Sequence, residues 1–297
     1  MNIRYAVIAT SVLLATPAAQ AVQNIDRSLP TGATPSVEIS NVQGRVTVTA
    51  WDQQVVKVTG TIENDQTEFE FVGDQRHVVI KVRPESGKSH RNHDEAILDI
   101  KVPAGASLDI NTVSADIDVQ GVRGEQRLQA ISGGVTTVAY SEQLDIRTIS
   151  GDAVVNGTGG KGRIDVQSVS GGVTVRGVDG EVEAQSVSGN VELDLGTATR
   201  LSLETVSGNL KASLTLASDA RLDAESVNGN IDVRFAKPVN GEFEFETFSG
   251  NIENCFGPKA ERKSKYAPGT ELRFTQGSGG ARVSVDTLSG TISICDQ

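Results

Sequence analysis

The sequence predicts an all-β protein: a parallel β-solenoid, similar to a β-helix, of roughly ten coils of about 20 residues, preceded by an N-terminal β-rich cap. Three observations carry this prediction. A four-residue phrase ending in Gly returns about once every 20 residues. Apolar and polar residues alternate on both sides of it. After the N-terminus, no stretch of about 11 residues shows helical periodicity.

The phrase consists of a hydroxyl residue, an apolar residue, Ser or Asn, and Gly. Successive anchoring glycines are 18 to 21 residues apart until a final step of 40. A weaker copy of the phrase ends at Ala115. The anchors, each predicted to form a structural corner, are Gly133, Gly151, Gly171, Gly189, Gly208, Gly229, Gly250 and Gly290.

One unit shows how each element follows from the pattern. Ile164, Val166 and Ser168 stand seven, five and three residues before an anchor, and Val173 and Val175 stand two and four residues after it. This alternation predicts two short strands with a common buried face. We expect the anchoring Gly to turn the chain with a positive φ. We expect the apolar residue of the phrase to fill the corner.

Stacking of coils also explains the polar repeats. The hydroxyl of each phrase is predicted to lie on the buried face, where neighbouring coils satisfy it. A ladder of side-chain amides is predicted from the Asn residues that follow four anchors in succession, Asn190, Asn209, Asn230 and Asn251.

Residues 1–21 read as a secretory signal peptide. Arg4 gives a positive start, residues 6–15 are largely apolar, and residues 19–21 (Ala-Gln-Ala) form a small-residue cleavage site. The mature chain is then expected to begin at Val22, in the periplasm or at the cell surface. It contains no further stretch suited to a transmembrane helix.

The net charge of the whole chain is −11. Removal of Arg4 with the signal peptide makes it −12, because no other charged residue lies in residues 1–21. An acidic exported protein does not suit nucleic acid, whose phosphates need clustered Lys and Arg.

Residues 22–107 are predicted to form an N-terminal coil and the β-rich cap. Residues 37–48 fit the repeat with Gly44 as the anchor, and four strand-like runs with longer spacing follow. An open parallel stack needs such a cap against edge-to-edge pairing. Residues 108–297 are predicted to contain the solenoid repeats, with a loop insertion at about 256–280.

The runs at 46–52 (VTVTAWD) and 98–105 (LDIKVPAG), together with the Ser-Gly-Asn/Asp repeats, resemble the bacterial adhesin-like β-strand-repeat family, long labelled a domain of unknown function. The resemblance covers roughly residues 35–297. It implies an exported or envelope-associated β-solenoid, and it supplies no catalytic residues.

Cys255 and Cys295 are the two cysteines of the chain, and each stands five residues after an anchor. An even pair in an exported protein suggests a disulfide. If residues 256–280 loop out, the two coils are neighbours and the bridge forms at the C-terminal end; residues 257–269 are loop-like, which favours this alternative. If Gly269 instead anchors an intervening coil, the cysteines are about 9.6 Å apart and stay free thiols.

His90 and His93, followed by Asp94 and Glu95, resemble a metal cluster, but His-x-x-His near carboxylates in a polar loop is a common coincidence. We predict no metal and no cofactor.

A basic cluster interrupts the acidic chain within the predicted insertion. Such a cluster is usually just a solvated loop, and a candidate binding loop for an anionic surface is the alternative. Its residues are Lys259, Arg262, Lys263, Lys265 and Tyr266.

These features favour a non-catalytic envelope protein, an adhesin or scaffold that presents a repeated surface to an envelope protein or a surface glycan. Two alternatives remain at this point. One is a polysaccharide-active enzyme on a β-helix, which needs paired carboxylates and aromatic platforms, whereas aromatics make up 4% of this chain. The other is an envelope fibre that assembles end to end.

Overall fold

The computed structural model describes residues 22–64, 66–84, 95–140, 143–262 and 268–296. These residues contain no helix, and their 23 strands belong to one continuous hydrogen-bonded sheet. The all-β prediction is therefore confirmed. The predicted signal peptide, residues 1–21, lies outside the described residues.

The N-terminal part contains seven strands. They are β1 (Gln23–Pro30), β2 (Ser36–Trp51), β3 (Val55–Ile62), β4 (Glu68–Gly73), β5 (His77–Arg83), β6 (Ala96–Pro103) and β7 (Ser107–Gln120). The middle of the chain contains ten. They are β8 (Gln126–Ala130), β9 (Val135–Ala139), β10 (Leu144–Thr148), β11 (Ala153–Gly157), β12 (Lys161–Ser168), β13 (Val173–Arg176), β14 (Asp179–Ser186), β15 (Val191–Ser207), β16 (Leu210–Asn228) and β17 (Ile231–Phe235). The C-terminal part contains six. They are β18 (Gly241–Ser249), β19 (Ile252–Asn254), β20 (Glu261–Arg262), β21 (Thr270–Gln276), β22 (Ala281–Ser289) and β23 (Ile292–Asp296).

Strands of successive repeats stack in parallel and in the register of the phrase. Ile164 of β12 lies between Leu144 of β10 and Val182 of β14, so equivalent residues meet across coils. Burial alternates along these strands, as period-two sequences require. The result is a solenoid-like stack.

One hydrophobic core runs through the stack. In each unit the strand before the anchor and the strand after it turn their apolar residues toward each other. Val166 and Val175 are fully buried in this way, as are Leu203 and Val233 in later units. Because no coil covers its own apolar face, each strand depends on the coils beside it for burial.

At the C-terminal end, the order of coils in space differs from their order in the chain. Strand β22 pairs in parallel with β16 on one side and with β18 on the other. Likewise, β23 lies between β17 and β19. The last coil of the chain is thus inserted between two earlier ones, and it does not form the end of the stack.

The same strand pairing explains the 40-residue step between Gly250 and Gly290. The coils anchored at Gly250 and Gly290 are direct neighbours, as one of the two sequence alternatives requires. The alternative of an intervening coil anchored at Gly269 is wrong, because Gly269 directly precedes β21. Strand β21 runs antiparallel to β18, and β20 runs antiparallel to β21.

The N-terminal end is interleaved in the same way. Strand β2 lies between β7 on one side and β5 followed by β6 on the other, all in parallel. Beyond them, β3 and β4 pair antiparallel with β6 and β5, and β1 pairs antiparallel with β3. Antiparallel strands therefore lie over the parallel ladder at both ends of the stack.

The anchoring glycines are needed for a reason other than the one expected. Of the eight predicted corner glycines, only Gly290 has a positive φ, so the prediction of a left-handed corner is wrong for the other seven. Instead, the glycines stack directly on one another. A Cβ on Gly171 would overlap the carbonyl group of Gly151, and a Cβ on Gly189 would overlap that of Gly171. Close approach of adjacent backbones excludes a side chain here.

Candidate binding surface

The apolar residue of each phrase points to solvent. Nine of these side chains are between 42% and 54% exposed, so the prediction that they fill the corner is wrong. The strand explains the error: since the hydroxyl before it points inward, the next residue points outward. Together with the partly exposed Val42, they form what we call the apolar ridge, whose members in spatial order are Val42, Val113, Ile131, Ile149, Val169, Val187, Val206, Val227, Leu288 and Phe248.

The buried hydroxyl residues lie beside the ridge, and their predicted inward orientation is confirmed. The amide N–H of Gly171 donates to Ser168 Oγ (2.9 Å), and Ser186 Oγ donates to the carbonyl oxygen of Gly171 (3.1 Å). The same contact to the neighbouring anchor recurs from Thr247 to Gly290. These bonds fix the hydroxyls as structural links between coils.

A column of polar side chains runs parallel to the ridge on the other side of the hydroxyls, and we call it the polar wall. Each member lies directly opposite the next one in the pairing of adjacent strands. In spatial order they are Ser40, Asn111, Gln129, Arg147, Gln167, Gln185, Glu204, Glu225, Asp286 and Glu246. Ridge and wall enclose a groove of about 910 Å³ that extends over eight coils, from Val42 to Val227.

The wall is uneven in charge. Its first six members are uncharged apart from Arg147, whereas its last four are carboxylates. Asp286 stands between Glu225 and Glu246, and burial, followed by the charges of these neighbours, raises the pKa of its carboxyl group. Its hydrogen bond from Ser284 Oγ (3.2 Å) acts in the opposite direction. The end of the polar wall on β16, β22 and β18 therefore carries concentrated negative charge.

The predicted disulfide is present. Cys255 and Cys295 are bonded, with Cα atoms 4.9 Å apart. Because the last coil is inserted, the bond joins it to the coil of β18 and β19, which stands at the end of the parallel ladder.

The predicted amide ladder is present in part. Asn190 Oδ1 accepts from the N–H of Asn209 (2.9 Å), and Asn209 Oδ1 accepts from the N–H of Asn230 (3.0 Å). Asn230 Oδ1 then accepts from Thr291 rather than Asn251. The predicted neighbour relation between Asn230 and Asn251 is wrong, since the inserted coil separates them. In each bond the side-chain oxygen accepts from a backbone N–H, whereas the predicted ladder joins side-chain amides to one another.

Other candidate residues lie away from the groove or outside the described part of the chain. Lys259 is exposed just before β20 and Arg262 is exposed within it. Lys263, Lys265 and Tyr266 are outside the described residues. His90, His93 and Asp94 are outside them too. Across the ranges that the structure describes, no three His, Cys, Asp or Glu side chains are grouped to hold a metal ion. In those same ranges, no helix has the length and apolar character to span a membrane.

Sequence reasoning missed the ridge and the wall, although the signal was available. The alternation that places the hydroxyl inside also places the residues immediately before and after it outside. Continuing this inward–outward alternation through the four-residue phrase identifies both the apolar ridge and the polar wall.

Residues 35–295 match the family model Toastrack DUF4097. No curated protein matches the chain. Among solved structures, a candidate cell adhesion protein from Clostridium sporogenes shares 8% identity, with 93% of this chain and 100% of that chain covered and a TM-score of 0.30. A candidate adhesin from Parabacteroides distasonis shares 9% identity, with 94% and 98% covered and a TM-score of 0.26. Likeness at this level carries no argument about what this chain binds.

Proposed function

Because the chain belongs to the Toastrack DUF4097 family, we propose that it is a non-catalytic exported protein of the bacterial envelope, an adhesin or scaffold that presents one face of a parallel β-solenoid of about ten coils. The observation that carries this proposal is the apolar ridge. Its ten side chains form a line about 43 Å long at the spacing of stacked strands. The ridge contains nine of the twelve large hydrophobic side chains that are exposed among the described residues. A continuous apolar line of this kind is typical of a contact with another macromolecule.

The ridge is also a rigid surface. Every member follows a buried residue of the coil ladder, and most of those residues are hydroxyls bonded to neighbouring glycines. A rigid surface loses little conformational entropy on binding. The repeat therefore builds the core and also holds the apolar ridge in a fixed geometry for binding.

The groove supports the binding proposal better than the enzyme alternative. Glycoside hydrolysis needs two carboxyl groups that flank the scissile bond. The carboxylates of the groove instead form a single column on one wall, and the ridge opposite supplies only aliphatic side chains along the length of the groove. Most of the hydroxyls between them bond to backbone groups of the anchors, whereas the buried Ser226 Oγ has no hydrogen-bond partner among the described residues.

Site-specific photo-crosslinking in the native cells tests the proposal. A photo-reactive residue replaces Val187 on the ridge or, as the control, Val154, which points outward from the strand after an anchor. We expect adducts from position 187 and few from position 154. Equal labelling at both positions, or none at either, contradicts a binding role for the ridge. Mass spectrometry of the purified chain, with Val22 expected as the first residue, tests export.

A further inference from the structure

The spacing of the apolar ridge restricts what can fit along it. Ridge side chains repeat at the distance between stacked strands, about 4.8 Å. An extended peptide repeats same-face side chains every ~6.8 Å, and a helix advances about 5.4 Å per turn. Neither stays in step with the ridge over ten coils. A second stack of β-coils has the same repeat as the ridge and stays in step with it. This chain is itself such a stack.

We propose that the partner of the apolar ridge is a second copy of this chain, bound face to face and antiparallel about a two-fold axis between Val169 and Val187. This inference rests on the proposed function of the ridge as a binding surface. In this arrangement, ridge lies against ridge and wall against wall. Such a contact is isologous, because both copies use the same patch.

The charges of the polar wall select the antiparallel arrangement. With the axis at this position, Glu204 of one copy lies opposite Arg147 of the other. Glu225 then lies opposite Gln129, and Asp286 lies opposite Asn111. A parallel arrangement brings the carboxylates of both copies to the same end, where like charges repel. The antiparallel arrangement therefore gives each of these three carboxylates an uncharged or cationic neighbour.

The area of the patch suits a reversible dimer. Wall and ridge are two residues apart on the strand, about 6.8 Å, and with their side chains the strip is about 14 Å wide. Over a length of about 43 Å, each copy offers ~600 Å², or ~1,200 Å² for the pair, at the lower end of specific interfaces. Area alone does not set affinity, but the ridge supplies mostly aliphatic side chains and no Trp, Tyr or Arg anchor. We therefore expect a dissociation constant on the order of micromolar.

Sedimentation of the purified exported chain from about 0.1 to about 100 μM tests the proposal, because this range spans that constant. We expect a monomer–dimer equilibrium. Val169→Glu places an unpaired carboxylate near the axis in both copies and should weaken the dimer roughly 100-fold or more. Val154→Glu is the matched control and should leave it unchanged. A monomer at every concentration, or equal dimerisation of the two variants, overturns the proposal.

Cysteine cross-linking tests the orientation. The two native cysteines are bonded to each other, so a new thiol reports only the interface. Ile131 and Val227 lie opposite each other across the antiparallel axis. A mixture of Ile131→Cys and Val227→Cys should form the mixed cross-link, and each variant alone should not. Efficient linking of Val227→Cys to itself overturns the antiparallel arrangement.

The two proposals can fail separately. If the purified chain stays monomeric while photo-crosslinking from position 187 traps a different protein, the dimer proposal is wrong and the binding function stands. If position 187 gives no adduct in cells and the purified chain is monomeric, both are wrong. An adduct of twice the mass of the chain supports both.

Discussion

Replacement of Gly171 by Ala tests the central element of the fold, the backbone stacking of the anchors. A Cβ at this position would overlap the carbonyl oxygen and carbon of Gly151 and the backbone nitrogen of Asp152. All three are backbone atoms of the neighbouring coil, so no side-chain rotation relieves the overlap. The two coils must separate locally, and separation strains two bonds that cross between them, from Ser168 Oγ to the carbonyl oxygen of Gly151 and from the N–H of Ser170 to the carbonyl oxygen of Ile149.

The magnitude follows from these two effects. Overpacking of a well-packed site costs about 1–3 kcal/mol, and two weakened hydrogen bonds contribute about 1 kcal/mol each at most. We therefore expect Gly171→Ala to lower the local stability of these coils by about 2–4 kcal/mol. Gly172→Ala is the adjacent control. Its Cβ would lie 3.5 Å from Asp152 Oδ1 and 3.7 Å from the carbonyl oxygen of Asn190, which are ordinary contacts.

Hydrogen exchange of the amides in β10 to β14 is the appropriate assay, because repeat proteins open locally and one global unfolding free energy is not well defined for them. Gly172→Ala should match the native protein or stabilise it by up to about 1 kcal/mol. A third variant, Gly171→Asn, separates the two explanations of the anchor. Asn tolerates a left-handed backbone but adds more atoms than Ala. If Gly171→Asn is more stable than Gly171→Ala, the close-approach explanation is refuted.

Three further predictions concern single contacts. Asp286→Asn should stabilise the protein by about 0.5–2 kcal/mol at neutral pH, because like charges oppose each other across strands. Since the folded pKa of this carboxyl is raised, the local stability of β22 falls as pH rises through that pKa. Hydrogen exchange of β22 should show no gain from the variant at a pH below the usual Asp range. Replacing Cys255 and Cys295 together by Ser should lower the local stability of β19 and β23 by about 2–4 kcal/mol in hydrogen exchange, because the bond closes a loop of 40 residues. Asn209→Ala should cost ~1 kcal/mol in local hydrogen exchange by removing the acceptor for Asn230, whereas Asn209→Asp, which keeps an acceptor, should not.

The core was predictable because it depends on local alternation. Residues such as Ile164 and Val166 repeat with period two at fixed distances from the anchor, and this pattern fixes strand, face and stacking together. The outward columns follow from the same rule. The apolar character of Val169 suggested burial, but its position after the inward Ser168 determines that it is exposed. Position in the strand outweighs hydrophobicity at this site.

The neighbours of each coil were not predictable from the repeat. A period specifies how long a coil is, and equivalent coils offer nearly the same ladder of backbone donors and acceptors to any partner. The strand at 281–289 therefore fits beside β16 as well as beside β18, and in the structure it pairs with both. The direction of β21 is equally hidden, because alternation is the same in parallel and antiparallel strands.

Interleaving at both ends has a physical consequence for a stack of similar coils. In a simple solenoid the first and last coils each contact one neighbour, so the chain can fray from its termini. Here the first coil of the chain, in β2, and the last, in β22 and β23, each pair on two sides. The coils at the ends of the parallel ladder are internal in sequence, and antiparallel strands cover at least one strand of each. Neither repeat at a chain end can leave without breaking two ladders, and at the C-terminal end the disulfide also keeps the coil tethered to its neighbour.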